Sequence, residues 1–269
     1  MELDGKTIVI IGGTGGLGLS AARACAAAGA RGLVVVGRDP DDARAARQSL
    51  GDVAREHVAD ATDPATAPRA IDLALREFGG RLDALYHVAG GSGRRAGDGP
   101  LHEITDDGWD FTLNLNLRAL FLSNRAAVRQ FLKQGTGGSV LNMGSALGQW
   151  PSPRFFTTHA YAAAKSAAIG FTRSCAAYYA PQSIRFNLIV PALVETPMSQ
   201  RAKGDETIMR FIQTKQPLDG GRIGRPEDLD AAVVFFLSDA SRFATGQVLS
   251  VDGGWSVTEG QYPAGEASR

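Results

Sequence analysis

A chain of 269 residues, 44% of them hydrophobic, is long enough to bury one large α/β core. Its 28 basic and 28 acidic side chains cancel to a formal net charge of zero, which argues against nucleic acid or an anionic membrane as a partner. The start MELDGKTIVIIGG is acidic with only a short apolar run, so neither a signal peptide nor a membrane span is expected and the expected location is cytoplasmic.

In chain order, TIVII, LVVV, REHVA, DALYHV, SVLNM, IRFNLIV and VLSV are short apolar runs bounded by glycine or charge, and longer helical segments separate them. This alternation predicts repeated βαβ units: a doubly wound parallel α/β sheet of about seven strands with helices on both faces, in one domain over 1–269. Residues 89–100, 148–159 and roughly 191–225 read as loops, each following a strand, and so as walls of one site beyond the carboxyl ends of the sheet. The tail 256–269 is polar and is expected to fray or to lie on a neighbouring subunit. Cys25 and Cys175 lack Cys-x-x-Cys spacing and the four histidines are scattered, which predicts no disulfide and no metal site.

The run IVIIGGTGGLGLSAARACAAAGA sets Gly12, Gly16 and Gly18 between a strand and a helix of small residues. Glycines let the backbone turn and approach a pyrophosphate, and the helix start offers N–H groups and a favourable dipole, so the turn reads as nucleotide-binding. At the end of the second strand, Gly37 is followed by Arg38. An acid there would bond a ribose 2'-hydroxyl, whereas a guanidinium matches a 2'-phosphate; NADP is expected over NAD, with Gly37 leaving room beside the phosphate. The alternative is a solvated Arg38, with Asp39 in the acidic role and NAD as cofactor.

In HAYAAAKSAAIGF, Tyr161 and Lys165 are four apart and share a helix face. A lysine charge favours phenolate, so Lys165 is expected to lower the tyrosine pKa and make it an acid or base near neutrality. Tyr-x-x-x-Lys alone is a weak signal, and two incidental polar residues on a packed helix are the competing reading.

Together GGTGGLG, AD at 59–60, AG at 89–90, NLRALF at 116–121, SVLNMGSALG at 139–148, YAAAK at 161–165, IRFNLIVPALVETPM at 184–198, GRIGRPEDL and TGQVLSVDGG, in this order, resemble the short-chain dehydrogenase/reductase family. The likeness runs from Lys6 to about Trp255 and is to the single-domain, Rossmann-type form that includes the 3-oxoacyl-carrier-protein reductases. It implies hydride transfer between NADP(H), or NAD(H), and a small carbonyl or alcohol substrate. Tyr161 would be the general acid/base, Lys165 would depress its pKa and bond the nicotinamide ribose, Ser145 would orient the substrate carbonyl, and Asn116 would hold a relay water. Asn114 is read as an ordinary helix polar group. For the cofactor, the resemblance implies Gly12, Thr14, Gly15, Gly16, Leu17 and Gly18 at the turn. It adds Arg38, Asp60, Ala61, Ala89 and Gly90, then Pro191, Val194 and Thr196 at the nicotinamide, with Tyr161 and Lys165. Small members of the family assemble as homotetramers or homodimers, and Ala162, Ala163, Ala164, Ala167 and Ala168 would permit close helix contact. A noncatalytic NADP-binding sensor or scaffold on the same fold is the reading from another class.

The family commonly has Thr before the first glycine, Asn-Asn before AG and Gly after the proline, where this chain has Ile11, His87, Val88 and Ala192. An apolar brace is expected, with Ile11 packed near Val88 and His87 a satisfied structural histidine. Between Ser145 and Tyr161, the rings of Trp150, Phe155 and Phe156 suit either an apolar substrate wall or a subunit contact. The arginines of GSGRRAG read as solvated loop charges, with an anionic substrate group as the alternative.

Overall fold

A strand buried on both faces needs a continuous apolar run. In the computed structural model, which describes residues 2–260, every run becomes a strand, buried in the middle of the sheet and only partly buried at its two edges, AREHV and VLSV. The elements alternate as β1 (Thr7–Ile11), α1 (Gly16–Ala27), β2 (Gly32–Gly37), α2 (Pro40–Leu50), β3 (Ala54–Val58), α3 (Thr66–Glu77) and β4 (Ala84–His87). There follow α4 (Asp106–Leu113), α5 (Ala119–Gln134), β5 (Gly138–Met143), α6 (His159–Tyr179), β6 (Ile184–Pro191), α7 (Gln200–Lys203), α8 (Glu206–Lys215), α9 (Asp230–Leu237) and β7 (Val248–Val251). All seven strands are parallel, in the order β3-β2-β1-β4-β5-β6-β7. The order reverses between β1 and β4, where Ile11 lies opposite His87, and a crevice opens there at the carboxyl ends.

Side chains alternate across the sheet. Ile8 and Ile10 meet Ala21, Ala22 and Cys25 of α1 and Val233 and Leu237 of α9 on one face. Val9 and Ile11 meet Ala70 and Ala74 of α3 and Ala127 and Phe131 of α5 on the other. Burying each Ile or Phe contributes about 1.5–3 kcal/mol before the entropy of ordering it. A third cluster, with Leu188 and Val190 of β6, Phe211 and Ile212 of α8 and Trp255, lies at the site end of the sheet. Among the described residues no helix is long and apolar enough to cross a membrane.

Three expectations change. The 191–225 segment is not all loop: Asp205 accepts from the N–H groups of Thr207 and Ile208 and so caps α8, whose Ile208, Phe211 and Ile212 form a buried stripe. Ile11 and Val88 are joined by a backbone hydrogen bond of 3.0 Å, but the strand period sends their side chains to opposite faces of the sheet, so no brace forms between them. In the tail, residues 256–260 return to α8, where Thr258 Oγ1 donates to the Lys215 carbonyl (2.8 Å); the rest, 261–269, lies outside the described residues. Cys25 and Cys175 are both free and pack on opposite faces of the sheet.

Candidate active site

The glycine turn joins β1 to α1 at the crevice. A Cβ at Gly12 (φ 92°) would stand 2.7 Å from Ala89 N, and one at Gly18 would stand 2.0 Å from the Gly12 carbonyl oxygen. These two positions admit only glycine, because the turn folds against both the loop after β4 and its own helix. Gly15 is the N-cap of α1, without a side-chain cap, and a Cβ there would meet nothing within 4 Å. An open helix start with no acid in its first turn fits a dinucleotide pyrophosphate. Gly16 faces Thr196, whose Cγ2 would lie 3.6 Å from an added Cβ, so the two ends of the set expected to bind the cofactor meet across the crevice. Leu17 packs into one face of the core, and Ala61 and Ala89 into the other.

The room at Gly37 has a different use from the one expected. An added Cβ would fall 1.9 Å from Thr14 Oγ1, so Gly37 makes space for Thr14, not for a phosphate. An acidic side chain at 37 is excluded on the same ground. Asp39 Oδ1 accepts from the N–H groups of Asp41 and Asp42 (2.8 and 3.0 Å) and caps α2, which commits that oxygen to the helix start. Arg38 stays exposed, 3.8 Å from Asp60. Burial raises the Asp60 pKa, but hydrogen bonds from the backbone and hydroxyl of Thr62 (2.8 and 2.7 Å) and the Arg38 charge outweigh it and hold the carboxyl below its ordinary value.

Ser145 and Lys165 converge on the end of β5. Lys165 Nζ is buried and donates to the Met143 carbonyl at 2.9 Å, with Ser145 two residues beyond. Asn116 lies in one turn of π-helix, Asn114–Arg118, inserted between α4 and α5. Its Oδ1 accepts from Gly91 N (3.0 Å), and its Nδ2 donates to the carbonyls of Gly91 and Thr112 (2.9 Å each). A Cβ on Gly90 would come within 2.8 Å of Asn116 Oδ1 and 3.5 Å of Lys165 Nζ, so Gly90 separates the two. Asn114 accepts instead from the exposed Arg118 (3.1 Å).

The electrostatics correct the expected lysine–tyrosine coupling. Burial pushes Tyr161 up, and the opposing influence is a hydrogen bond with the Ser145 hydroxyl, not the charge of Lys165. Lys165 stands 5.7 Å from the Tyr161 ring centre, and burial pushes its own pKa down to about 8. His87 is buried and neutral, lowered to about 3 first by burial and then by Lys165. Its Nδ1 meets Ser123 Oγ at 2.8 Å, but Nε2 has no partner among the described residues, so the histidine is half satisfied.

Pro191, the last residue of β6, and Val194 just beyond it are buried, and Val194 bridges to Gly224. Gln216, which the sequence reading missed, grips this segment: its Oε1 accepts from Leu193 N (2.9 Å) and its Nε2 donates to Leu193 O (3.1 Å). A second missed residue is Asp98, buried in the 89–100 loop, whose two oxygens accept from the N–H groups of Ala160 and Tyr161 at 3.0 Å each. A glutamine or aspartate acting this far from its partner leaves no local signal. Trp150, Phe155 and Phe156 pack within the subunit. Phe155 meets Phe211 (ring centres 5.0 Å), Phe156 meets Trp255 (5.8 Å), and Trp255 Nε1 donates to the Trp150 carbonyl (3.2 Å).

Residues 12–256 match the family model described as Enoyl-(Acyl carrier protein) reductase. The chain is similar to 2-dehydro-3-deoxy-D-gluconate 5-dehydrogenase of Dickeya dadantii, 32% identical over 94% of this chain and 96% of the relative. It is 31% identical to a 3-oxoacyl-(acyl-carrier-protein) reductase of Thermotoga maritima, covering 94% of this chain and 99% of that one. A solved short-chain type dehydrogenase/reductase from Mycobacterium ulcerans superposes with a TM-score of 0.87 at 30% identity, over 97% of this chain and 93% of that one. The chain belongs to the short-chain dehydrogenase/reductase family and is an oxidoreductase of that kind.

Proposed function

We propose that this short-chain dehydrogenase/reductase moves a hydride between NADP(H) and a ketone or secondary alcohol, with Tyr161 as the general acid/base. The observation that carries the reading is the meeting of Ser145, Tyr161 and Lys165 at the end of β5. When bound, the nicotinamide supplies or accepts the hydride. Everything else falls to the chain. A phenol raised by burial stays protonated, which is the form that gives a proton to a carbonyl oxygen; in the reverse direction the phenolate takes it back. Ser145, just beyond the end of β5, donates to the same substrate oxygen as negative charge builds there. Lys165 bonds the nicotinamide ribose, and Asn116, across Gly90, holds the water that refills the proton path.

NADP preference rests on Arg38, exposed and free of the capping work that engages Asp39. Gly12, Thr14, Gly15, Gly16, Leu17 and Gly18, with Asp60, Ala61, Ala89 and Gly90 and with Pro191, Val194 and Thr196, would hold the cofactor. The single domain works in the cytoplasm as a homotetramer. Ala164 and Ala168 are buried within the subunit, but Ala163, Ala167 and Gly170 leave an exposed small-residue stripe on α6 for a neighbour. Light scattering is expected to give a tetramer, and a monomer would remove that assignment.

The test is loss of NADPH absorbance with pooled ketones, aldehydes, quinones and 3-oxoacyl thioesters, beside Tyr161→Phe. The variant is expected to lose on the order of 10²–10⁴ in turnover while still binding NADPH. Equal turnover by variant and wild type would overturn the role of Tyr161.

A further inference from the structure

Strand β5 lies between β4 and β6, so the segments leaving those two neighbours flank Ser145 from either side. Arg94 comes from the segment after β4 and Arg201 from α7, after β6. Both reach the same atom. Arg94 Nη2 donates to the Phe155 carbonyl at 3.5 Å and Arg201 Nη2 donates to it at 3.0 Å. Phe155 belongs to the segment that links Ser145 to Tyr161, so the two guanidiniums close over the stretch between two site residues.

Two like charges brought to one oxygen repel. Arg94 is half-buried, and its pKa is lowered first by burial and then by Arg201. Asp98 attracts it, but both oxygens of Asp98 already accept backbone N–H groups of Ala160 and Tyr161. Among the described residues neither arginine has an ion-pair partner within 4 Å. The Arg154 guanidinium packs 5.3 Å over the Phe155 ring. A guanidinium carries five N–H donors in a planar fork that matches a carboxylate, and a single carbonyl oxygen engages few of them. The half-buried Phe155 and Phe156 pack against the buried Phe211 and Trp255, and the Arg201 guanidinium lies 5.9 Å from the Phe156 ring centre.

We propose that Arg94 and Arg201 form a carboxylate subsite of the substrate pocket, so that the substrate is an oxo acid or hydroxy acid with its apolar body on Phe155 and Phe156. The inference rests on the hydride-transfer reading and narrows its substrate class. The Phe155 carbonyl stands where one carboxylate oxygen joins the two forks, and each fork has a further donor for the other oxygen. Lysine in place of arginine would keep the charge and lose that paired geometry.

The experiment compares 4-acetylbenzoate and 4-oxopentanoate with their primary amides, as substrates with NADPH and as ligands in calorimetry. Wild type is expected to favour the acids by at least about tenfold in kcat/KM, chiefly through KM, with the preference shrinking as salt rises. In Arg94→Gln/Arg201→Gln the acid-to-amide ratio is expected to fall close to one, and Arg201→Lys is expected to keep part of it. The ratio is internal to each variant and does not depend on its folded fraction. A wild-type ratio near one, or a ratio unchanged in the double variant, would overturn the subsite. If neither probe is reduced, the pooled assay beside Tyr161→Phe still decides the hydride-transfer reading, and calorimetry alone decides the subsite. Tighter binding of the acids that disappears in the double variant supports it, and equal binding of acid and amide overturns it.

Discussion

Asp98→Ala should damage stability and turnover together, because one buried carboxylate holds the start of the helix that carries Tyr161. Each of its oxygens accepts a backbone N–H, from Ala160 and Tyr161, at 3.0 Å, and the side chain is 5% exposed. A hydrogen bond to a charged group contributes about 1.5–3 kcal/mol, and losing a helix N-cap costs about 1–2 kcal/mol. The two estimates count the same bonds, so their overlap gives about 2–4 kcal/mol for the alanine variant, which leaves two N–H groups without acceptors in a buried place. In a chain of this size that is a drop of roughly 5–15 °C in Tm. Asp98→Asn keeps one acceptor but turns an NH₂ toward the second N–H and gives up the charge at the helix start, so it should fall between. Thermal unfolding measures the first effect and NADPH-linked turnover the second. Displacing a reacting group by about 1 Å costs on the order of 10²-fold in rate, so kcat should fall even at temperatures where the variant is folded. An alanine variant with wild-type kcat that melts within about 1 °C of the parent would refute the reasoning.

Two further predictions concern charge. Burial lowers Lys165 from its ordinary 10.5 to about 8, so between those values the unfolded chain binds a proton that the folded chain does not, and stability rises with pH. The penalty is full below pH 8 and gone above 10.5. Relative to Lys165→Met, the cofactor-free wild type should therefore gain roughly 3 kcal/mol across that window in denaturant titrations, and a pH-independent difference would show that the amine is not desolvated. Arg38→Ala should raise the Kd for NADPH by about tenfold or more while changing that for NADH much less, measured by fluorescence titration. Equal losses for both cofactors would assign Arg38 a general role and reopen NAD.

The strands were legible because burial on both faces demands unbroken apolar runs, and such runs have few other uses. The spacing of Tyr161 and Lys165 and the glycine turn suggested their chemistry, the first only once the family resemblance supported it, and the role expected of Ser145 came from the resemblance alone. The misreadings have physical causes. Ile208, Phe211 and Ile212 show a helical stripe, but Gly204 and Pro217 on either side suggested a loop, although Asp205 was in place to cap α8. Gly37 looked like space for a ligand, and only the fold shows Thr14 occupying it. The π-turn that orients Asn116 arises where α4 meets α5, and its hydrogen bonds to Gly91 depend on a loop 25 residues away. Asp98 lies 62 residues before the first N–H it caps, so no local capping rule finds it.

Buried polar residues behind the site explain why α6 presents Tyr161 and Lys165 in one fixed phase. Asn142 of β5 and Asn124 of α5 exchange amide hydrogen bonds at 2.9 and 3.0 Å, and Asn142 Nδ2 also donates to Thr172 Oγ1 of α6 at 3.1 Å. Asn124 and Ser123 are neighbours on α5, and Ser123 Oγ reaches His87 on β4. Four elements are thus tied through side chains on the sheet face where Val9 and Ile11 otherwise meet only hydrocarbon. An apolar contact tolerates a small rotation of the helix, but a buried amide pair does not, because turning it away leaves donors and acceptors unmade in a low-dielectric interior. Thr172 is seven residues, close to two turns, beyond Lys165, so fixing it against Asn142 also fixes the direction of Lys165. From there the lysine reaches the carbonyl of Met143, the residue next to Asn142 on the same strand. The polar network and Lys165 therefore share one register between β5 and α6, and a change that slips the first must misplace the second.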